Sequence, residues 1–261
     1  MSIRINAPVL AVGVNVAVFV ILRLIAAVLH LTGSGSAADI LPWVEMPAGA
    51  AALARVPWTV VTYMFSQFDA MHLIVNMLIL YWVGSLYCAF CGQRRFWWLY
   101  FSGGLCGALV FMALYALPGV DGADSAVLVG SSASVFALLT ATALKMPRMR
   151  VNLFLLGEVE LRWIAVAFIA IDFVIGLGGE NVGGHIAHLG GVAAGAMSVW
   201  LRRPALRLRP LRRRRQAPRV HTDAGDEAEL NAILDKIKSS GYGGLTDRER
   251  RRLFEISSRI K

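Results

Sequence analysis

The sequence predicts an all-α, polytopic membrane protein, a bundle of six transmembrane helices with a short fourth helix at its centre. Of the 261 residues, 57% are hydrophobic and 16% are charged, whereas soluble domains average about 45–50% and about 25%. The apolar residues form long runs of the length that a bilayer requires. Lys and Arg are concentrated at the ends of these runs, as is usual for cytoplasmic loops.

The six predicted spans follow the apolar runs in order. The first run is longer than the apolar core of a signal peptide, which has about 7–15 residues, so we interpret it as a retained span. The connection over 32–70 mixes aromatic side chains with Met, which favours a body at the membrane interface over a disordered linker. The spans cover residues 8–31, 71–91, 96–117, 132–144, 161–178 and 185–201.

The positions of the cations predict the orientation of the bundle. Arg94 and Arg95 lie between spans two and three, and Lys145 follows span four, whereas the connections 118–131 and 179–184 carry acidic residues and no Lys or Arg. Positive-inside counting therefore places both termini in the cytoplasm. The net charge of +9 is accordingly interpreted as membrane anchoring, and no nucleic-acid partner is expected.

The chain after the membrane domain (1–202) divides into two parts. A basic linker over 203–221 is predicted to lie against anionic lipids of the inner leaflet. Over 222–261, aliphatic residues at helical spacing predict one helix, and Thr246 and Glu249 have the spacing of a capping box that opens another. We expect a cytosolic helical hairpin, which is either a partner-binding element or a simple cap. The aliphatic residues are Leu230, Ile233, Leu234 and Ile237.

Span four is too short to cross the bilayer. From Ser132 to Lys145 the helix rises about 20 Å at about 1.5 Å per residue, against a hydrocarbon core of about 30 Å. The loop before Ser132 must therefore dip into the membrane, and irregular backbone at that depth is tolerated only inside protein or beside a water-filled cavity. We expect the serines at this helix start to face a hydrated hollow.

Span six places a histidine at the same depth. His188 lies about 21 Å from Arg202 by the same rise, and spans four and six run in the same direction. Gly191 and Gly195, one and two turns below His188, permit close approach of another helix. Span four offers small residues for that contact, which are Ala133, Ala137 and Ala141.

These groups suit acyl transfer. A serine hydroxyl is a weak nucleophile until a base takes its proton, and imidazole is the usual base. The start of span four adds backbone N–H groups and the positive end of a helix dipole, which favour a developing oxyanion. His72 and Asn76 share one face of span two and offer further donors. Taken singly, each feature also fits helix packing or a proton relay.

Three motifs in three different spans resemble the rhomboid family of intramembrane serine proteases. They read His72-Leu-Ile-Val-Asn76, then Gly130-Ser131-Ser132, and then His188-Leu-Gly-Gly191 with Gly195 one turn later. The likeness covers about residues 50–202. Separately, the predicted paired-helix tail loosely resembles the cytosolic C-terminal extensions of some bacterial members. The likeness of the three motifs implies a multi-pass protein of the bacterial inner (plasma) membrane that cleaves single-span membrane proteins without a cofactor or metal.

The resemblance also implies roles for individual residues. Ser132 would be the nucleophile and His188 the general base of a dyad, with Phe136 packed on the imidazole. His72, Asn76 and the Ser132 backbone N–H would form the oxyanion hole. Ser131, Ser134 and His185 are the nearest rivals, but they do not match the motif positions. Spans two and five, the latter with Trp163 and Phe168, are the candidate gate for substrate entry.

The chain departs from the family pattern at three positions. Ala133 replaces the usual Gly after the nucleophile, Thr59 stands where a Trp-Arg pair would place Arg, and Gln67 replaces a loop His. Asp172 in span five is a further intramembrane carboxylate, and such residues are functional candidates. It would either orient His188, relay a proton, or be protonated or hydrogen-bonded within the bundle.

Two other functions remain open from the sequence. The first is a catalytically inactive rhomboid-like protein that binds membrane clients, and the second is an ion-coupled transporter that uses Asp172, His188 and Asn76. A transporter would be expected to show internal repeats, and none is evident. Cys88 and Cys91 have the spacing of a metal or redox pair, but without a second pair we interpret them as packing residues.

Overall fold

The computed structural model describes residues 6–153, 157–178, 181–201 and 224–259. The chain forms two compact units, Met1–Pro204 and Ala205–Lys261. The basic linker predicted over 203–221 lies outside the described residues, as do the acidic Glu180 and the cationic Arg202.

Each of the six predicted spans falls on one helix of the first unit. The third span begins three residues earlier than expected, so that Arg94 and Arg95 lie in its first turn. Two short helices, α2 and α3, lie between the first two spans. The helices are α1 Ala7–Leu31, α2 Ala50–Leu53, α3 Thr59–Thr62, α4 Ala70–Cys91, α5 Gln93–Tyr115, α6 Ser132–Lys145, α7 Leu161–Gly176 and α8 Val182–Trp200.

The helices differ in length and hydropathy. Within the described ranges, α1, α4 and α5 are long and apolar enough to cross a membrane by length and composition. Helix α6 is a shorter apolar helix of 14 residues, and α7 has 16. Helix α8 has 19 residues, but its glycines and two histidines lower its hydropathy. The helices that differ from an ordinary span thus include the two that carry Ser132 and His188.

The outward faces of several helices of the membrane unit are apolar. Leu24 on α1, Leu78 on α4, Leu109 on α5 and Val174 on α7 are each at least 60% exposed. A helix on the surface of a soluble protein places charged and polar residues there instead, so these faces suit lipid. The predicted all-α membrane bundle is confirmed by this arrangement of apolar helices.

The first loop is a structured body with one short strand. Its strand β1, Met46–Pro47, pairs antiparallel with β2, Val127–Leu128, which precedes α6. The loop also contains 3₁₀ turns at Ala37–Asp39, Leu41–Trp43 and Tyr63–Phe65. A β-hairpin, β3 Arg150–Leu153 with β4 Gly157–Glu160, joins α6 to α7. The sequence predicted neither strand pair, because strands of two to four residues have too few positions to show an alternating pattern.

Helix α6 occupies the centre of the bundle. Ten of its 14 residues are buried, and it contacts α4, α5, α7 and α8. Its contact with α8 is made by glycine against backbone: a Cβ on Gly191 would collide with the Ala133 carbonyl oxygen, and one on Gly195 with that of Ala137. Of the small residues predicted to form the contact between α6 and α8, Ala133 and Ala137 therefore do so.

The second unit is a pair of helices. Helix α9 covers Ala224–Ser240 and α10 covers Asp247–Arg259, with a 3₁₀ turn at Tyr242–Gly244 between them. Ile233, Leu245 and Ile256 are buried, while Leu234 is 47% exposed. The predicted aliphatic stripe is thus only partly used in packing α9 against α10.

A capping box begins α10. Thr246 donates its backbone N–H and its hydroxyl to Glu249 Oε2 at 2.7 and 2.8 Å, and the Glu249 N–H donates to Thr246 Oγ1 at 3.4 Å. Lys236 on α9 donates to both carboxylate oxygens of Glu249 at 2.8 and 3.0 Å. One carboxylate therefore closes the start of α10 and ties it to α9.

We predict that Gly191→Ala lowers the free energy of unfolding of the membrane unit by about 1–3 kcal/mol, because the added methyl overpacks the α6 backbone. Thermal denaturation in detergent measures this as a lower Tm. Gly13→Ala is the matched control, since a Cβ at Gly13 meets nothing within 4 Å. Equal Tm values for the two variants would contradict the described contact.

We predict a pH-dependent contribution of Glu249 to the stability of α10. The Lys236 ammonium, followed by the Thr246 N–H and hydroxyl, lowers the pKa of Glu249 from 4.5 to about 2. A group with a depressed folded pKa stabilises above its unfolded value, and this stabilisation is lost as the pH falls through the folded value.

Amide hydrogen exchange in α10, compared between wild type and Glu249→Gln, measures this contribution. The difference in protection is expected to be complete above pH 4.5 and to shrink toward pH 2. A difference that does not change over this interval would show that the carboxylate charge is not what stabilises the helix.

Candidate active site

A turn at Gly130 precedes Ser132, which is the first residue of α6. Gly130 has φ +106°, a conformation that L side chains rarely adopt, and its N–H donates to the Tyr63 carbonyl at 2.9 Å. Ser131 is the N-cap residue and Ser132 the first residue of the helix. The loop that carries them is held against the first loop by the β1–β2 pairing.

Ser132 and His188 are in direct contact. The distance from Ser132 Oγ to His188 Nε2 is 2.7 Å, although 56 residues separate them in the chain. Ser132 is half-buried, and the His188 side chain is 14% exposed. The hydrated hollow expected around this pair stays a prediction.

Phe136 supports the imidazole from one side. It lies one helical turn after Ser132, and its ring stacks on that of His188 with centroids 4.7 Å apart and planes at 16°. Stacking of this kind restricts rotation of the imidazole about its side-chain bonds. The serine and the ring that supports its histidine partner thus come from the same face of α6.

The rival serines have other surroundings. Ser131 is fully buried, and its Oγ accepts a hydrogen bond from Gln67 Nε2 at 3.4 Å. Ser134 is also fully buried, and its Oγ has no hydrogen-bond partner in the part of the chain that is described. The structure therefore brings Ser132 to a histidine and leaves its two neighbours in the packed interior.

His72 and Asn76 approach the same helix start from α4. Asp69 caps this helix by accepting from the His72 backbone N–H at 2.6 Å. A Cβ built on Gly130 would lie 3.6 Å from His72 Cε1 and 4.0 Å from Nε2, so the imidazole lies beside the backbone two residues before Ser132. Asn76 is buried and donates to Gln67 Oε1 at 3.5 Å.

Gln67 connects this region to α1, which the sequence did not reveal. Its side chain is 1% exposed, and its Nε2 contacts Asn15 Oδ1 at 3.2 Å as well as Ser131. Asn15 in turn donates to the Tyr100 hydroxyl at 3.3 Å, and that hydroxyl donates to the Met64 carbonyl at 2.9 Å. The signal was present, because an Asn inside an apolar span requires a partner.

The first loop uses other contacts where the family pattern has Trp-Arg. Thr59 donates its hydroxyl to the Val56 carbonyl at 2.7 Å. Trp58 donates its indole N–H to the Trp43 carbonyl at 2.9 Å, and the two indoles stack with centroids 6.0 Å apart. The loop is therefore braced by local hydrogen bonds and an aromatic pair at this position.

Asp172 contacts both histidines of α8. Its Oδ1 lies 2.8 Å from His188 Nδ1 and 2.8 Å from His185 Nδ1. Of the arrangements left open by the sequence, the structure has Asp172 hydrogen-bonded within the bundle, and one of its partners is His188. His185 lies one turn before His188 on the same face of α8, and this face is turned toward Asp172 on α7.

The three side chains have the composition of a metal site. Asp172, His185 and His188 offer ligand atoms within 4.8 Å of one another, and a carboxylate with two imidazoles is a donor set that suits Zn²⁺. The two contacts of 2.8 Å, however, are hydrogen-bond distances. Direct hydrogen bonding accounts for this cluster, and we assign no ion to it.

The contacts define one consistent protonation pattern. A carboxylate oxygen only accepts, so both Nδ1 atoms donate to Asp172. In a neutral imidazole the other nitrogen is then an acceptor, and Ser132 Oγ–H donates to His188 Nε2. The arrangement can remove a proton from Ser132 beside a helix N-terminus whose first N–H groups have no intrahelical acceptor. That combination is the basis of nucleophilic acyl transfer.

Two family models match the sequence. One described as a Rhomboid domain matches residues 54–205, more than half of the chain. Another, described as a family of unknown function (DUF6576), matches residues 224–259, which cover α9 and α10.

One curated relative is the Danio rerio protein named presenilin-associated rhomboid-like protein A, mitochondrial. It is 29% identical over 138 residues, which are 52% of this chain and 34% of the relative. The chain therefore spans about a third of the length of the relative that it matches. With the Rhomboid domain match over the residues that build the site, these findings show that the chain belongs to the rhomboid family.

Proposed function

We propose that this protein is an intramembrane serine endopeptidase that uses Ser132 as its nucleophile and His188 as its general base. Membership of the rhomboid family is compatible with a protease or with an inactive rhomboid-like protein that binds clients. The observation that favours the protease is the 2.7 Å contact between Ser132 Oγ and His188 Nε2 at the start of α6. An inactive protein has no need of a hydroxyl aligned on an imidazole acceptor.

The proposed reaction follows from the contacts. Ser132 Oγ forms a bond to the carbonyl carbon of the scissile peptide while its proton passes to His188 Nε2. The carbonyl oxygen becomes an oxyanion near the N–H groups of the first turn of α6, with donors from His72 and Asn76. His188 then transfers the proton to the leaving amine, and water releases the acyl enzyme by the same route.

The substrate we propose is a single-span membrane protein cut in or just outside its span. A helical backbone hides its carbonyl carbons from attack, so the scissile stretch must become extended before Ser132 can reach it. The candidate gate elements are α4 and α7. On α7, Trp163 and Phe168 are 58% and 38% exposed. Large apolar side chains on that face would contact an incoming helix.

The proposed location is a bacterial inner membrane with both termini in the cytoplasm. The Lys and Arg distribution supports this orientation, while the relative described above is named as mitochondrial. In this arrangement the linker over 203–221 would bind anionic lipid. Residues 222–261 would form a cytosolic domain after the membrane domain of 1–202.

We predict that purified protein in proteoliposomes cleaves a single-span model substrate, and that Ser132→Ala and His188→Ala each lower kcat by at least about 1000-fold. Gel separation of the products measures cleavage, and a fluorophosphonate probe identifies the reactive serine. Ser131→Ala is the matched control, since Ser131 is buried against Gln67, and it should retain measurable activity. Wild-type cleavage by Ser132→Ala, or labelling of another serine, would refute the assignment.

We predict that Asn76→Ala lowers kcat by about 10²–10³-fold with a smaller effect on KM, because removal of one oxyanion donor acts mainly on the transition state. Steady-state kinetics on the same substrate separate the two parameters. Asn152→Ala provides the matched control, since Asn152 is exposed on β3. If Asn76→Ala raised KM and left kcat unchanged, Asn76 would be a substrate-binding residue instead.

A further inference from the structure

We propose that Asp172 is a positioning residue for His188, so that the chain works with a Ser132–His188–Asp172 triad rather than the dyad that its family resemblance implies. This inference rests on the proposed function and adds a third member to the same site. It is carried by the position of one carboxylate oxygen relative to the two nitrogens of the imidazole.

The three groups form a continuous series of hydrogen bonds. Asp172 Oδ1 lies 2.8 Å from His188 Nδ1, and His188 Nε2 lies 2.7 Å from Ser132 Oγ. The carboxylate and the hydroxyl therefore occupy opposite edges of one imidazole ring. In serine proteases with a triad, a carboxylate in this relation holds the tautomer whose free nitrogen accepts the serine proton.

The tautomer matters because only one form of the neutral ring is competent. With the proton on Nδ1, the Nε2 lone pair points at Ser132; with the proton on Nε2, the ring has no acceptor there. Phe136 fixes the plane of the ring, but an aromatic face does not distinguish the two nitrogens. Asp172 is the described group within hydrogen-bond distance of His188 Nδ1 that makes this distinction.

His185 holds Asp172 in place. Its Nδ1 donates to the same Oδ1 atom at 2.8 Å, and its ring is nearly perpendicular to that of His188. The helices are close at this level, since a Cβ on Gly176 of α7 would lie 2.8 Å from His185 Cβ. Two histidines on α8 therefore donate hydrogen bonds to one carboxylate on α7. The Asp172 side chain is only 13% exposed.

The charge of Asp172 has a second consequence during the reaction. When the Ser132 proton passes to Nε2, His188 becomes an imidazolium, and its Nδ1 proton stays in place. The adjacent carboxylate remains ionised and stabilises this cation, an interaction that is stronger in a low-dielectric interior than in water. The proton on Nε2 then goes to the leaving amine, which restores the neutral ring.

Two substitutions at Asp172 test the proposal in the full chain. Asp172→Asn removes the charge and offers an amide that can donate as well as accept, so it no longer selects one tautomer, and Asp172→Leu removes every polar group. We expect kcat to fall about 10²–10⁴-fold in both variants, with KM little changed. Glu158→Gln is the matched control: it removes a carboxylate charge from the exposed strand β4, so kcat should stay at the wild-type value.

Nitrogen chemical shifts of ¹⁵N-histidine give a readout that does not depend on cleavage. The chain has five histidines, and His188→Gln identifies the signal of interest. We expect His188 to carry its proton on Nδ1 in the wild type and to lose that preference in Asp172→Leu. If Asp172 were only a structural tether between α7 and α8, Asp172→Leu would lower the thermal stability but would leave the tautomer of His188 unchanged.

The outcomes separate this inference from the proposed function. If the wild type cleaves, Ser132→Ala does not, and Asp172→Asn retains the wild-type kcat, the triad is overturned while the protease stands. If the wild type neither cleaves nor labels, the protease fails, and the tautomer measurement still decides whether Asp172 positions His188. A proton on Nε2 in the wild type would overturn the triad in either case.

Discussion

The geometry of the site depends on the close approach of α6 and α8. Gly191 and Gly195 leave space that the Ala133 and Ala137 carbonyl oxygens occupy, so the two helix backbones touch without intervening side chains. In lipid this contact gains little from the hydrophobic effect, and helix association relies on packing and interhelical hydrogen bonds. The 2.7 Å contact between Ser132 and His188 lies about one turn from this glycine contact. The spacing of the α6 and α8 backbones therefore sets the distance between the two side chains.

The polar groups of the bundle are arranged in two connected sets. One set runs from Asn76 through Gln67 to Asn15, and Gln67 also donates to Ser131 at the N-cap of α6. The other runs from Ser132 through His188 to Asp172. Since a polar group without a partner is costly inside a membrane, each set both stabilises the bundle and orients the groups next to Ser132.

The surroundings of Gln67 and Ala133 show how the chain accommodates two of its departures from the family pattern. Gln67 is an amide that both donates and accepts, so it joins Asn15, Asn76 and Ser131 in one network. Ala133 carries a methyl in place of hydrogen, and that methyl lies at the level of Gly107 on α5, where a Cβ would come within 2.6 Å of it. The glycine on the neighbouring helix thus provides the room that Ala133 needs.

The sequence by itself determined the membrane class, the six helices and the family, because long apolar runs and three motifs are local features that need no partner to be visible. It also supplied the residues that meet at α6, since depth along parallel helices follows from a constant rise per residue. The sequence did not determine the rotation of each helix about its own axis, and so it did not determine which side chains face each other. Only the tertiary structure decided that Asp172 faces His188, that Gln67 points inward and that short strands tie the loops, because these depend on contacts between segments far apart in the chain.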